Sequence, residues 1–134
     1  MASSVFYSTA GGRYGQGPLD RVRMLFEAAG LNEVVGKRDL VAVKMHFGER
    51  GNTSYIPIPF IREIVDLTMK AGGRPFLTDT GTLYMSKRIN ARDHLIVAAE
   101  HGFGYQSCLA PVLIADGLRG SDIKKVEVNL KHFQ

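Results

Sequence analysis

Polar side chains follow three short apolar runs of the sequence, at the point where each run ends. If these runs are parallel strands of one sheet, their carboxyl ends meet in the crevice where such sheets bind ligands. Amine, imidazole and carboxylate groups gathered there could perform acid–base chemistry, although aspartates also shape turns. We therefore take four residues as candidate catalytic groups: Lys44, His46, Asp79 and Asp116.

The loop after the first run is rich in groups that bind anions. Residues 47–54 contain two glycines, and Arg50 offers a planar fork of donors to a phosphate or carboxylate. The glycine spacing is not that of a P-loop, so a solvated surface loop is the alternative interpretation. The predicted ligand-binding residues here and after the second run are Glu49, Arg50, Asn52, Thr53, Thr80 and Thr82.

A divalent metal ion is a further hypothesis for the same strand ends, because imidazole and carboxylate groups ligate several such ions. No closely spaced pair such as His-x-x-x-His supports it. We interpret His94, in a predicted helix, as a capped or surface histidine and not as a ligand. The candidate metal ligands are His46, Glu49, Asp79 and Asp116.

Three helices are predicted from apolar residues at helical spacing and from their ends. In the third, Asn90 is a candidate N-cap, and Leu95, Ala98 and Ala99 are the expected buried stripe. Glycines stop all three. The predicted helices are residues 18–29, 59–71 and 91–101.

The apolar runs around these helices are rich in strand formers. Runs that alternate with helices are typical of a mostly parallel sheet covered on both faces, which predicts a three-layer α/β fold. The last run differs because apolar and polar residues alternate along it, which indicates a half-exposed antiparallel or edge strand at residues 126–130. The other predicted strands are residues 5–7, 40–45, 75–77 and 112–115.

Composition limits the class of protein. A chain of 134 residues predicts a single domain spanning residues 1–134, and the absence of a long apolar segment or secretory signal predicts a cytoplasmic protein with no membrane partner. The net charge of +4 favours a small anionic ligand, but the basic residues are scattered, which argues against nucleic acid. A lone cysteine, Cys108, cannot form an internal disulfide or hold a cluster, so no cofactor is expected in this chain.

Three segments together are more specific than any single motif: VAVKMHFGERGNT at residues 41–53, AGGRPFLTDTGTLY at 71–84 and APVLIADGLRG at 110–120. In these segments the chain resembles the domain-of-unknown-function family 362. The resemblance implies the N-terminal part of a longer protein that carries a ferredoxin-like module with a [4Fe–4S] cluster. Because the cluster cysteines are missing here, that cofactor is expected only in the parent protein.

These observations favour a ligand-binding α/β domain of an iron–sulfur-associated protein. Two alternatives stay open: an enzyme that acts on a small anionic substrate by metal-assisted or acid–base chemistry, and an assembly domain. For the assembly, we expect a homodimer that meets through the C-terminal edge strand, because an edge strand has unpaired backbone groups.

Overall fold

The computed structural model describes residues 3–9, 11 and 16–128. Helices and strands alternate along most of this part of the chain, as the sequence pattern predicts. In chain order the elements are α1 (Pro18–Ala28), α2 (Leu31–Val34), β1 (Leu40–Lys44), α3 (Ile58–Lys70), β2 (Arg74–Asp79), α4 (Ala91–Glu100), α5 (Tyr105–Cys108) and β3 (Val112–Ile114).

The three strands form one sheet in the order β1-β2-β3, and both neighbouring pairs are parallel. Ala42 lies opposite Phe76 in the first pair, and Thr78 lies opposite Leu113 in the second. Parallel strands need a crossover connection, which α3 supplies between β1 and β2, and α4 and α5 between β2 and β3. The predicted α/β class is confirmed.

The three longer helices agree with the predicted ones to within one residue at each end. The side chain of Asn90 accepts a hydrogen bond from the backbone N–H of Asp93 at 2.9 Å, which caps α4. Gly72 has a φ of +100° just after α3, a left-handed conformation that favours glycine. Residues at the helix ends were therefore sufficient to predict the bounds of these helices from the sequence.

One face of the sheet carries the hydrophobic core. Leu77 of the central strand and Val65 of α3 are both fully buried, together with Phe47 from the loop after β1. α1 packs against α3, where an Arg23 guanidinium nitrogen donates to the buried Glu63 carboxylate at 3.0 Å. The burial of Phe47 anchors the loop after β1 on this face of the sheet.

The other face of the sheet is open at both edge strands in the described part of the chain. Leu40 of β1 is 72% exposed and Leu113 of β3 is 56% exposed. The second helical layer over this face stays a prediction. No helix among the described residues is long and apolar enough to cross a membrane.

Two predicted strands are wrong. Residues 5–7 are described without strand structure, and Tyr7 is 83% exposed. Residues 126–128 also form no strand, while Asn129 and Leu130 lie outside the described residues. Both segments contain strand-forming residues, but a strand needs a hydrogen-bonded neighbour, and β-propensity alone does not supply one.

Candidate functional site

A buried carboxylate meets an exposed amine at the carboxyl edge of the sheet. Lys44 ends β1 opposite Thr78 of β2, and Asp79, the last residue of β2, follows Thr78 directly. The Lys44 Nζ atom lies 3.2 Å from Oδ1 of Asp79. The Lys44 side chain is 68% exposed and that of Asp79 only 6%. The contact therefore joins a solvent-exposed amine to a buried carboxylate.

A buried arginine holds the other side of the same carboxylate. Arg88, in the irregular segment between β2 and α4, is 3% exposed, and its Nη1 atom lies 3.3 Å from Oδ2 of Asp79. Its Nε atom also donates to Oε1 of Glu49 at 3.0 Å. This hydrogen bond holds the pKa of Glu49 below its ordinary value, with a further contribution from the hydroxyl of Tyr84. Arg88 thus ties the loop after β1 to the end of β2.

A histidine of α4 completes the group behind Asp79. His94 is fully buried, with its ring edge-to-face against Phe47 at a centroid separation of 5.7 Å. Its Nε2 atom lies 3.6 Å from Oδ2 of Asp79, which is too long for a hydrogen bond. Neither ring nitrogen has a hydrogen-bond partner among the described residues. Burial lowers the pKa of His94, and the nearby charge of Asp79 opposes this only in part.

We call Lys44, Glu49, Asp79, Arg88 and His94 the carboxyl-edge cluster. At neutral pH a neutral His94 leaves two cations and two carboxylates in it. The buried charge of Asp79 is compensated by Arg88 and Lys44, as a charge removed from water requires.

Asp116 lies beside this cluster, after β3. It is 8% exposed, and its Oδ2 atom accepts a hydrogen bond from the backbone N–H of Gly81 at 2.8 Å. A Cβ atom at Gly81 would lie 3.0 Å from that oxygen and 3.1 Å from the carbonyl oxygen of Ile89, so a side chain there would crowd the contact. The other carboxylate oxygen of Asp116 and the hydroxyl of Thr78 are buried without a partner in the described chain.

The predicted binding loop does not converge on the cluster. Arg50 turns toward α4, where a guanidinium nitrogen lies 3.1 Å from the Glu100 carboxylate. The side chain of Asn52 accepts a hydrogen bond from the backbone N–H of Ser54, and Thr53 is exposed. Of the six predicted ligand-binding residues, the loop therefore brings only Glu49 to the cluster.

The two threonines after β2 form hydrogen bonds within their own segment of the chain. Thr80 has an exposed side chain, and its backbone N–H donates to Oδ1 of Asp79 at 2.9 Å. The hydroxyl of Thr82 donates to the carbonyl of Tyr84 at 2.9 Å. Thr80 thus helps to fix Asp79, and Thr82 shapes the loop.

The four candidate metal ligands do not assemble. His46 is exposed, and its Nδ1 atom accepts a hydrogen bond from the backbone N–H of Gly48 at 2.9 Å. Across residues 3–9, 11 and 16–128, no three His, Cys, Asp or Glu side chains form a group that could hold a metal ion.

Sequence reasoning missed Arg88, and the interpretation of His94 as a capped or surface histidine was wrong, because its side chain is fully buried. The exposed positions of Leu95 and Ala99 show that the predicted stripe of α4 was wrong in two of its three members, whereas Ala98 is buried. Helical spacing from Ala98 back to His94 could have indicated the inward position of the histidine. Arg88 carries no comparable signal, because it lies in an irregular segment.

The comparisons with known proteins identify the family. A family model described as "Domain of unknown function (DUF362)" matches residues 41–134. The chain belongs to this family. Comparison with curated proteins and with solved structures gave no match. The DUF362 region begins within β1 and includes the whole carboxyl-edge cluster, whereas α1 and α2 precede it.

Proposed function

We propose that this chain binds a small anionic molecule at the carboxyl edge of its sheet, with the Lys44 amine in contact with the ligand. The observation that carries the proposal is the buried Asp79 carboxylate, which lies 3.2 Å from the exposed Lys44 amine and 3.3 Å from the buried Arg88 guanidinium. Parallel sheets bind ligands at this edge. Buried ionisable groups that lie together at such an edge are typical of functional sites.

Polar atoms without a hydrogen-bond partner, both in the carboxyl-edge cluster and next to it, support the same proposal. His94, Thr78 and Asp116 each bury at least one polar atom that has no partner among the described residues. Each buried polar atom without a partner destabilises the folded state by about 1–3 kcal/mol. Several such atoms close together therefore indicate a role other than stability. A bound ligand or its water could satisfy them.

Thermal unfolding with a panel of small mono- and dicarboxylates tests the binding proposal. A ligand present at about 100 times its Kd stabilises the folded state by about 2.7 kcal/mol, so wild-type protein should show a higher Tm with at least one panel member. Lys44→Met should abolish that increase. Lys70→Met is the matched control. Lys70 is the last residue of α3 and lies shortly before Arg74, the first residue of β2, so it is at the amino end of that strand and away from the carboxyl-edge cluster. An equal increase in Lys44→Met and wild type would contradict the proposal.

Acid–base catalysis is the second candidate, favoured by the contact between Lys44 and Asp79. Lys44 would exchange a proton with the bound molecule, and Asp79 would stabilise the charged amine. In D2O, wild type should then exchange a carbon-bound hydrogen next to the ligand's anionic group, whereas Lys44→Met should not. Binding without exchange would exclude this chemistry for that ligand and leave the binding function.

The iron–sulfur association is a separate proposal that rests on the family resemblance. In it, residues 1–134 form one domain at the N-terminal side of a longer cytoplasmic protein that holds a [4Fe–4S] cluster elsewhere. Cys108 is fully buried in this chain, and one thiolate supplies only one of the roughly four ligands that such a cluster needs. Iron and sulfide analysis of the longer protein, with this chain as the control, tests it.

A further inference from the structure

A second charged cleft lies along α4, outside the carboxyl-edge cluster. Its volume is about 230 Å³, and three basic side chains line it: Arg50, Lys87 and Arg92. Arg50 comes from the loop after β1, Lys87 from the segment before α4, and Arg92 from the first turn of α4. Three separate parts of the chain therefore bring positive charge to one place.

The ion pair between Arg88 and Glu49 described above shapes this cleft. Glu49 and Arg88 are joined at 3.0 Å, which ties the loop after β1 to the segment before α4. Arg50 and Lys87 are the sequence neighbours of this pair, and they line the cleft while their neighbours face inward. The positions of these two cations are thus set by a contact between the buried Arg88 and the partly exposed Glu49.

The charge in the cleft is only partly neutralised. Arg50 lies 3.1 Å from the carboxylate of Glu100, and Arg92 pairs with Asp93. Lys87 forms no salt bridge within the described chain. Hydrogen bonds from Arg92 and Asn90 lower the pKa of Asp93, and the charge of Lys87 adds to this effect. One uncompensated cation therefore lies beside two arginines whose partners are partly exposed.

Part of the cleft wall is apolar. Ile96 lines it and is 41% exposed, and Val97 lies beside it and is 1% exposed. An apolar surface next to three cations fits a ligand with an anionic head and a compact hydrophobic body.

We propose that this cleft binds the phosphoryl group of a small phosphomonoester, with the organic body against Ile96. A phosphoryl group carries up to two charges and three acceptor oxygens, which two arginine forks and a lysine can satisfy together. A monocarboxylate has one charge and two oxygens, so it would do little more than replace Glu100 on Arg50. The ligand contacts proposed here use none of the residues of the carboxyl-edge cluster, although the Glu49–Arg88 contact positions Arg50 and Lys87.

Calorimetric titration with phenyl phosphate, inorganic phosphate and benzoate tests the proposal. We expect phenyl phosphate to bind most tightly and benzoate most weakly. Lys87→Gln should weaken phenyl phosphate binding about tenfold, which corresponds to one lost charge-assisted hydrogen bond. Glu100→Gln should strengthen it, because the variant frees Arg50. Ile96→Ser should reduce phenyl phosphate binding to the level of inorganic phosphate and leave the latter unchanged.

Arg62→Gln is the matched control for charge. Arg62 is a half-buried arginine of α3 that pairs with Asp66, and the variant removes one positive charge outside the cleft. It should bind phenyl phosphate like wild type.

Equal losses in Arg62→Gln and Lys87→Gln would show general attraction of anions and overturn the proposal. It would also be overturned if wild type did not bind phenyl phosphate, or if Lys87→Gln and Glu100→Gln left the Kd unchanged. Equal binding of phenyl phosphate and inorganic phosphate would identify free phosphate as the ligand and overturn the phosphomonoester assignment.

Discussion

At the scale of single residues, Asp79 and His94 illustrate two ways to bury an ionisable group. The buried Asp79 carboxylate lies within 3.3 Å of nitrogen atoms of both Arg88 and Lys44. His94 has no hydrogen-bond partner in the described chain and is fully buried. Protonation of His94 would therefore place a charge in the interior with no hydrogen-bond partner in the described chain.

This difference predicts a loss of stability in mild acid. Burial lowers the pKa of His94 in the folded state, so the unfolded chain binds the proton more tightly. The contribution of His94 is fully present above its unfolded pKa of about 6.5 and is lost as the pH falls below that value toward the lowered folded pKa. The free energy of unfolding should fall by up to about 1.4 kcal/mol per pH unit in this range. Urea unfolding at a series of pH values between 5 and 7.5 measures it.

Two histidine variants separate this effect from general acid sensitivity. His94→Gln has no titratable group at the buried position and should show a flatter pH dependence between 5 and 7, whatever its stability at pH 7.5. His46→Gln changes an exposed histidine and should retain the wild-type slope. A wild-type slope in His94→Gln would show that other groups dominate the pH dependence and would contradict the prediction.

At the scale of elements, the sequence was informative where a signal is local. Proline, asparagine and glycine mark the ends of α3 and α4, and apolar runs mark the strands. The same reasoning failed at residues 5–7 and 126–128, because strand formation depends on a partner that the segment itself does not encode. Helix ends were thus predictable from sequence, and strand pairing was predictable only for runs separated by helices.

The residues of the candidate site also differ in whether a local sequence signal predicts them. Lys44 and Asp79 were predictable because they end neighbouring strands of a parallel sheet, whose common direction brings both ends to the same edge. Arg88 was not, because it lies in the irregular segment between β2 and α4, where neither strand direction nor helical spacing indicates a position. His94 of α4 is buried, whereas Arg92 of the same helix lines the cleft. One helix therefore contributes residues to two candidate sites on different faces.

At the scale of the whole molecule, apolar surface remains open in the described part of the chain. Leu40 and Leu113 are exposed on one face of the sheet, and β1 and β3 each have one edge without a strand partner there. Val126 and Val128 are 68% and 47% exposed. Unpaired strand edges and exposed apolar side chains are features that association between chains removes from solvent.

We therefore expect the chain to form a homodimer in which the segments around Val126 and Val128 meet or exchange. Full burial of an exposed valine contributes about 1.5–3 kcal/mol, so the two valines of each chain supply a substantial part of an association energy. Val128→Lys should shift sedimentation toward the monomer, because a lysine in the contact must lose its hydration. Val34→Lys is the matched control, since Val34 of α2 is an equally apolar residue that is 74% exposed, and this variant should sediment like wild type. A wild type that stays monomeric at high concentration, or a dimer unaffected by Val128→Lys, would show that this segment is not the interface.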